Sequence, residues 1–106
     1  MSFEVLLSEP ALADLFSIND YFLLNVSDKI AAEIIDSLEE AVNSLTDFPE
    51  RGSFPKELLA LGIKQYRQLI VTPYRIIYEV LADKVIVHAV LDGRRDMETL
   101  LIRRLL

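Results

Sequence analysis

At 106 residues, with 52 % hydrophobic content and a mean hydropathy of +0.30, the chain has the size of one folded domain and is too apolar for a disordered segment. No cysteine is present, which excludes disulfides, a thiol nucleophile and cysteine-based zinc sites. The net charge of −6 argues against general nucleic-acid binding, but it is unevenly spread: residues 1–50 carry eleven acids against Lys29, and residues 51–106 carry ten bases against six acids.

In chain order, Ser2 to Leu7 is a short apolar run interrupted by Glu4 and reads as an N-terminal strand. Ser8-Glu9-Pro10 is a helix start, with a hydroxyl cap, an acid in the first turn and a proline that the first turn tolerates. Ala11, Leu15, Ile18 and Phe22 then give one apolar helical face. Ser27 with Asp28 caps a second helix, whose wide stripe includes Ala31, Ile34, Ile35, Leu38, Ala41, Val42 and Leu45. Glu33, Asp36, Glu39 and Glu40 fill its other side, and the short gap between the helices implies an antiparallel hairpin.

Residues 48–62 hold two of the four prolines and two of the three glycines and form the one long irregular connection, with a helical turn at Lys56–Leu61. Strands follow at Lys64–Val71, Tyr74–Leu81 and Lys84–Leu91, separated by Thr72-Pro73 and Ala82-Asp83. Links this short require an antiparallel meander. Asp92-Gly93 ends the meander, and Asp96–Arg104 reads as a short terminal helix whose last-turn arginines suit its C-terminus. The expected architecture is α+β, in the order β-α-α-β-β-β with a tail helix, as a helical hairpin packed on one face of a small antiparallel sheet within a single domain, 1–106.

The longest apolar stretch, Leu69 to Leu91, is broken by Arg75, Glu79, Asp83 and Lys84, unlike a membrane-spanning helix. The first residues lack the pattern of a secretory leader, so a cytoplasmic location is expected. His88 is the only histidine, the carboxylates show no ligand spacing, and the glycines are scattered; no metal and no cofactor is expected. What remains is arginine. Arg67, Arg75, Arg94 and Arg95 lie in or just after the meander, with Tyr66, Tyr74 and Tyr78 interleaved. Guanidinium groups make planar bidentate contacts to phosphates or carboxylates, so such a set grips a phosphate or an acidic protein surface. The plainer alternative is local pairing, of Arg75 with Glu79 and of Arg94 and Arg95 with Asp92 and Asp96.

Taken together, several segments resemble the ParE/RelE superfamily of toxins from type II toxin–antitoxin systems. They are Ala11–Asp14–Leu15–Ile18–Tyr21; the Phe48-Pro49-Glu50-Arg51-Gly52 corner; Pro55–Glu57-Leu58–Gly62; Tyr66-Arg67–Leu69; Tyr74-Arg75-Ile76-Ile77-Tyr78-Glu79-Val80; and Val85–Val90 leading into Leu91-Asp92-Gly93-Arg94-Arg95-Asp96. They cover nearly the whole chain in the right order. The resemblance implies a plasmid-stabilisation or chromosomal toxin, held in a hetero-oligomer by a cognate antitoxin that buries apolar surface.

Two activities occur among such relatives. ParE-like members poison DNA gyrase, and RelE-like members are ribosome-dependent mRNA endoribonucleases. This chain has Asp92 where ribonuclease relatives commonly have a histidine, and no tyrosine follows Arg95. The tail through Arg103-Arg104-Leu105-Leu106 looks like a ParE tail. The ParE-like reading is therefore preferred, as a binder rather than an enzyme, with Arg67, Arg75, Arg94, Arg95, Arg103 and Arg104 as target-contact residues. In the ribonuclease alternative Arg75 and Arg94 hold the scissile phosphate, and Tyr78 or His88 assists proton transfer on ribosome-bound mRNA.

Overall fold

The computed structural model describes residues 2–106. Strand β1 (Glu4–Leu7) leads into helix α1 (Glu9–Asn25), and α2 (Asp28–Asn43) follows, ending in a 3₁₀ turn at Ser44–Thr46. Both helix starts are set by serine caps: the Ser8 hydroxyl accepts from the Ala11 N–H and the Ser27 hydroxyl from the Ile30 N–H. A short helix α3 (Lys56–Leu59) precedes β2 (Tyr66–Val71), β3 (Tyr74–Leu81) and β4 (Lys84–Asp92), and α4 (Met97–Leu105) closes the chain. Among the described residues no helix is long and apolar enough to cross a membrane.

The four strands lie in the order β1-β4-β3-β2. The β2-β3-β4 meander is antiparallel as the short links require, but β1 runs parallel to β4, so the sheet is mixed rather than wholly antiparallel. The cause is the connection. Two successive antiparallel pairings give β4 the direction of β2, and the helical hairpin with the long segment after it is enough chain to set β1 beside β4 in that same direction.

A second departure concerns layering. On one face, Ala11, Leu38, Val42 and Leu45 pack on Leu69, Ile76, Tyr78, Val85, Val87 and Val90. The opposite face is not left to solvent. Leu58 of α3 and Met97 and Leu101 of α4 cover Tyr66, Ile77, Ala89 and Leu91. The sheet is thus sandwiched. The central strand β3 places Ile76 and Ile77 on opposite faces, both fully buried, and each such burial stabilises by about 1.5–3 kcal/mol.

The β3–β4 register shifts at Ile77/Tyr78, where Ala89 faces Ile77 but Val87 faces Tyr78. His88 is therefore the extra residue of a β-bulge. It moves Val90 back to the helical face although Val87 and Val90 are three residues apart. At the Pro49–Gly52 corner, a Cβ on Gly52 would stand 2.5 Å from both the Gln68 carbonyl oxygen and the Tyr78 hydroxyl oxygen, so only glycine fits. Its N–H donates to the Tyr78 hydroxyl at 2.9 Å.

Candidate functional site

The second face of the sheet carries a row of polar side chains. Arg75, from the middle of the sheet, makes a bidentate pair with Glu57 of α3 at 2.8 and 2.9 Å, and its Nε donates to Gln68 at 2.7 Å. The pair is nearly buried, and the guanidinium holds the Glu57 carboxyl below the usual carboxylate range. Arg75 therefore pairs with Glu57 and not with Glu79, its neighbour four residues on. The reason is register: four strand residues separate the two along the sheet, while α3 sits directly over Arg75. Glu79 is engaged by His88 Nε2 at 2.9 Å and Gln65 Nε2 at 2.6 Å. The Tyr66 ring meets His88 edge-on, and burial, then Glu79, pushes the Tyr66 phenol up.

Tyr78 points the other way. Its ring is fully buried among the α1/α2 contacts, its hydroxyl is taken up by Gly52, and burial raises its pKa. Tyr78 and His88 thus lie on opposite faces of the sheet, and Arg75 is committed to Glu57. The four residues of the ribonuclease alternative are not brought together. Arg67 lies at the β2 edge, donates to the Gly52 carbonyl at 2.9 Å and stacks over Phe54 at 4.5 Å, which ties it to the Pro49–Gly52 corner.

Where β1 ends, α1 and α4 attach to the bulge in β4. Asp14 accepts from the Val90 N–H at 2.9 Å and from Nη1 and Nη2 of Arg104, at 3.1 and 2.8 Å. Arg104 also donates to the His88 carbonyl. Arg104 therefore fastens α4 to α1 across the sheet edge. Arg103 is exposed on the same helix with no ion pair among the described residues.

Beside this tether a cleft of about 660 Å³ opens between α1, the β2–β3 turn and the end of β4. Ile18, Phe22 and Tyr74 supply apolar wall, and Tyr21, Asp92, Arg94 and Arg95 stand at its mouth. Arg94 closes on Asp92 through Nε and Nη2, at 3.0 and 2.7 Å, and this pairing lowers the Asp92 carboxyl to about 2. The Arg94–Asp92 pairing is the local one expected from spacing. Asp96 instead caps α4 through Thr99, which lowers its carboxyl. Burial and the Asp92 charge raise the Tyr74 phenol. Arg95 is exposed with no ion pair among the described residues.

The structure therefore gathers Arg94 and Arg95 with Tyr21 and Tyr74, and disperses Arg67, Arg75 and Arg104 into internal contacts. Tyr21 is the residue that sequence reasoning undervalued. Its signal was a large aromatic on the flank of α1 away from the Ala11–Phe22 stripe, and it is 58 % exposed. Chemically the cleft offers cations and aromatic faces for recognition.

A model of the ParE toxin of type II toxin–antitoxin systems, parDE, matches residues 5–97. No curated protein is a significant match. Among solved structures the chain is similar to the chromosomal ParDE system of P. aeruginosa, with a TM-score of 0.69 and 16 % identity over 84 % of this chain and 94 % of that one. It is also similar to an arginine-to-alanine double mutant of the E. coli toxin RelE in the free state, with a TM-score of 0.62 and 16 % identity over the whole of both chains. The RelBE2 toxin–antitoxin complex of Mycobacterium tuberculosis gives 0.57, with 18 % identity over 87 % of this chain and 92 % of that one. Identities this low speak for a shared fold.

Proposed function

The chain belongs to the ParE toxin family of type II toxin–antitoxin systems, and from that premise we propose that it is a toxin that acts by binding DNA gyrase and is neutralised by a cognate antitoxin. One observation carries the choice of a binder over a nuclease. Arg94 and Arg95 converge with Tyr21 and Tyr74 at an open cleft, whereas Tyr78 and His88 are separated by the sheet. A general acid or base must reach the proton that it moves, and a hydroxyl sealed against Gly52 does not. Target contact falls to Arg94 and Arg95, with Arg103 and the end of α4 as a secondary element. Arg67, Arg75 and Arg104 hold the frame that presents them.

Neutralisation by a partner is supported by the surface. Phe16, Leu24, Phe48, Ile70 and Leu106 are each more than 60 % exposed, a large apolar display for a domain of this size. The ParDE and RelBE2 structures are toxin–antitoxin assemblies of the same fold.

The test is supercoiling by purified gyrase with the purified chain added, alongside amino-acid incorporation in cells during the first minutes of induction. The expected result is loss of supercoiling while protein synthesis continues, with charge reversal at Arg94 and Arg95 abolishing the effect. A prompt stop in incorporation with cleaved mRNA would replace this reading with the ribosomal one.

A further inference from the structure

The mouth of the cleft carries what a single-stranded nucleic acid needs: two guanidiniums for phosphates, and the phenol rings of Tyr21 and Tyr74 on which a base can stack. One residue contradicts that reading. Asp92 Oδ1 accepts from both the N–H and the Nε of Arg94, each at 3.0 Å, and Oδ2 accepts from Nη2 at 2.7 Å. Nε and Nη2 form one edge of the guanidinium, the edge that would otherwise receive two oxygens of a phosphate. The Asp92 carboxylate thus stands where a phosphate would bind.

The pairing is built into the backbone. Asp92 is the last residue of β4, opposite Tyr74, and Gly93 turns the chain there with its N–H on the Pro73 carbonyl at 2.8 Å. A Cβ on Gly93 would stand 2.8 Å from Arg75 Cδ, so the turn is made for glycine, and it returns the Arg94 N–H to the Asp92 side chain. Held by Arg94 in this way, the Asp92 carboxyl titrates at about 2 and stays ionised at neutral pH. Stability gives little reason for the contact, because the Arg94 side chain is 75 % exposed and pairs in that setting contribute little to folding. Its electrical effect at the mouth is larger. Asp14 is already matched by Arg104, so Asp92 reduces two free cations to one, Arg95, and leaves a fixed anion beside it.

We propose that Asp92 is the specificity-determining residue of this cleft: it fills the Arg94 fork with an internal carboxylate, so that the cleft rejects single-stranded nucleic acid and is left to a protein ligand. The exclusion rests on the geometry of Asp92, Gly93 and Arg94 alone; that the admitted ligand is gyrase rests on the function proposed above. A phosphodiester approaching Arg94 must displace a carboxylate tethered two residues away and then sit against its charge. A protein surface need offer only an acid to Arg95 and apolar side chains to the wall at Ile18 and Phe22, and both leave Asp92 in place.

The test is fluorescence anisotropy of labelled oligouridylate and oligothymidylate, each about twelve nucleotides long, with the purified full chain. Asp92→Asn keeps an acceptor for the Arg94 N–H and frees the charged edge of the guanidinium. It is expected to bind both probes about tenfold more tightly than the parent, with a salt dependence steeper by about one phosphate contact. Asp92→Asn/Arg94→Ala should return to the parent affinity. Asp96→Asn, which removes an equal charge nearby and still caps α4, should change affinity by less than about twofold. Asp92→Ser is read in the same way if the asparagine variant melts early. Unchanged affinity in the Asp92 variants overturns the proposal, and so does an equal gain on Asp96→Asn or a gain that survives the loss of Arg94. A gain confined to oligouridylate also overturns it, since a ribose hydroxyl and not the phosphate fork would then be read. Gyrase inhibition by the parent without these gains removes only the role of Asp92; the gains without gyrase inhibition remove only the target reading.

Discussion

Arg75 and Glu57 show how a charged residue survives inside a β-sheet. Their side chains are 11 % and 14 % exposed, and the guanidinium is fully engaged by Glu57 and Gln68. Removing one partner leaves the other charge desolvated and unpaired, whereas removing both does not. Arg75→Met is therefore expected to cost about 3 kcal/mol in urea unfolding, and the Arg75→Met/Glu57→Leu double variant to return to within about 1 kcal/mol of the parent. Glu57 and the Asp92 carboxylate paired with Arg94 set the response to acid. Glu57 and Asp92 titrate below their ordinary values when folded, Asp92 at about 2 against 3.8. Their contribution to stability is thus complete only above the unfolded values, at pH about 5 and higher, and is lost as pH falls towards 2. The urea midpoint should drop over that interval, and Glu57→Gln should flatten the drop. An unchanged slope in the variant would place the acid sensitivity elsewhere.

At the scale of elements, α4 is a helix of nine residues whose packing alone is modest. It is held by Met97 and Leu101 in the core, by the Asp96 cap, and by Arg104 on Asp14. Asp14→Asn keeps an acceptor for the Val90 N–H but loses the bidentate charge pair, a change worth about 1–2 kcal/mol for a partly exposed pair. Hydrogen exchange should quicken in α4 far more than in α1 or α2; uniform acceleration would mean that Asp14 supports the whole fold. The β3–β4 turn stores a smaller strain. Ala82 sits at φ 47, in the left-handed region that favours glycine at the first position of a two-residue hairpin turn. Ala82→Gly is expected to stabilise by about 0.5 kcal/mol, after the entropy lost by glycine in the unfolded chain. A lower melting temperature for that variant would contradict it.

At the scale of the whole molecule, the charge asymmetry of the sequence has a structural counterpart. The acids of α2 lie along its exposed side, and Arg94, Arg95 and Arg103 lie around the end of β4 and the tail. An acidic helical face disfavours indiscriminate nucleic-acid contact, while the cationic end is left to a particular partner. Between them runs an apolar surface on α1. Phe16→Glu/Leu24→Glu should leave unfolding free energy within about 0.5 kcal/mol, since both side chains are already in water. It should also raise solubility and, on the function proposed here, weaken antitoxin binding in a pull-down with the co-expressed partner. A large loss of stability would show that these side chains pack on the fold instead.

Periodicity and turn chemistry were enough to place the main elements, because α1 and α2 carry their own caps and stripes and the meander strands their own punctuation: Ser8, Ser27, Thr72-Pro73 and Ala82-Asp83 mark boundaries through local backbone preferences alone. The family resemblance was legible for the same reason, as an ordered set of short local patterns later matched by the ParE toxin model. Pairing was not local. That β1 lies parallel against β4, that α4 covers the second face, and that a bulge at His88 redirects Val90 depend on which segments meet across intervals of up to about eighty residues. The partners of the arginines followed from those meetings. Arg94 found Asp92 two residues away, as spacing predicts, whereas Arg75 found Glu57 and Arg104 found Asp14, contacts that exist only once the sheet and its two covering layers have closed.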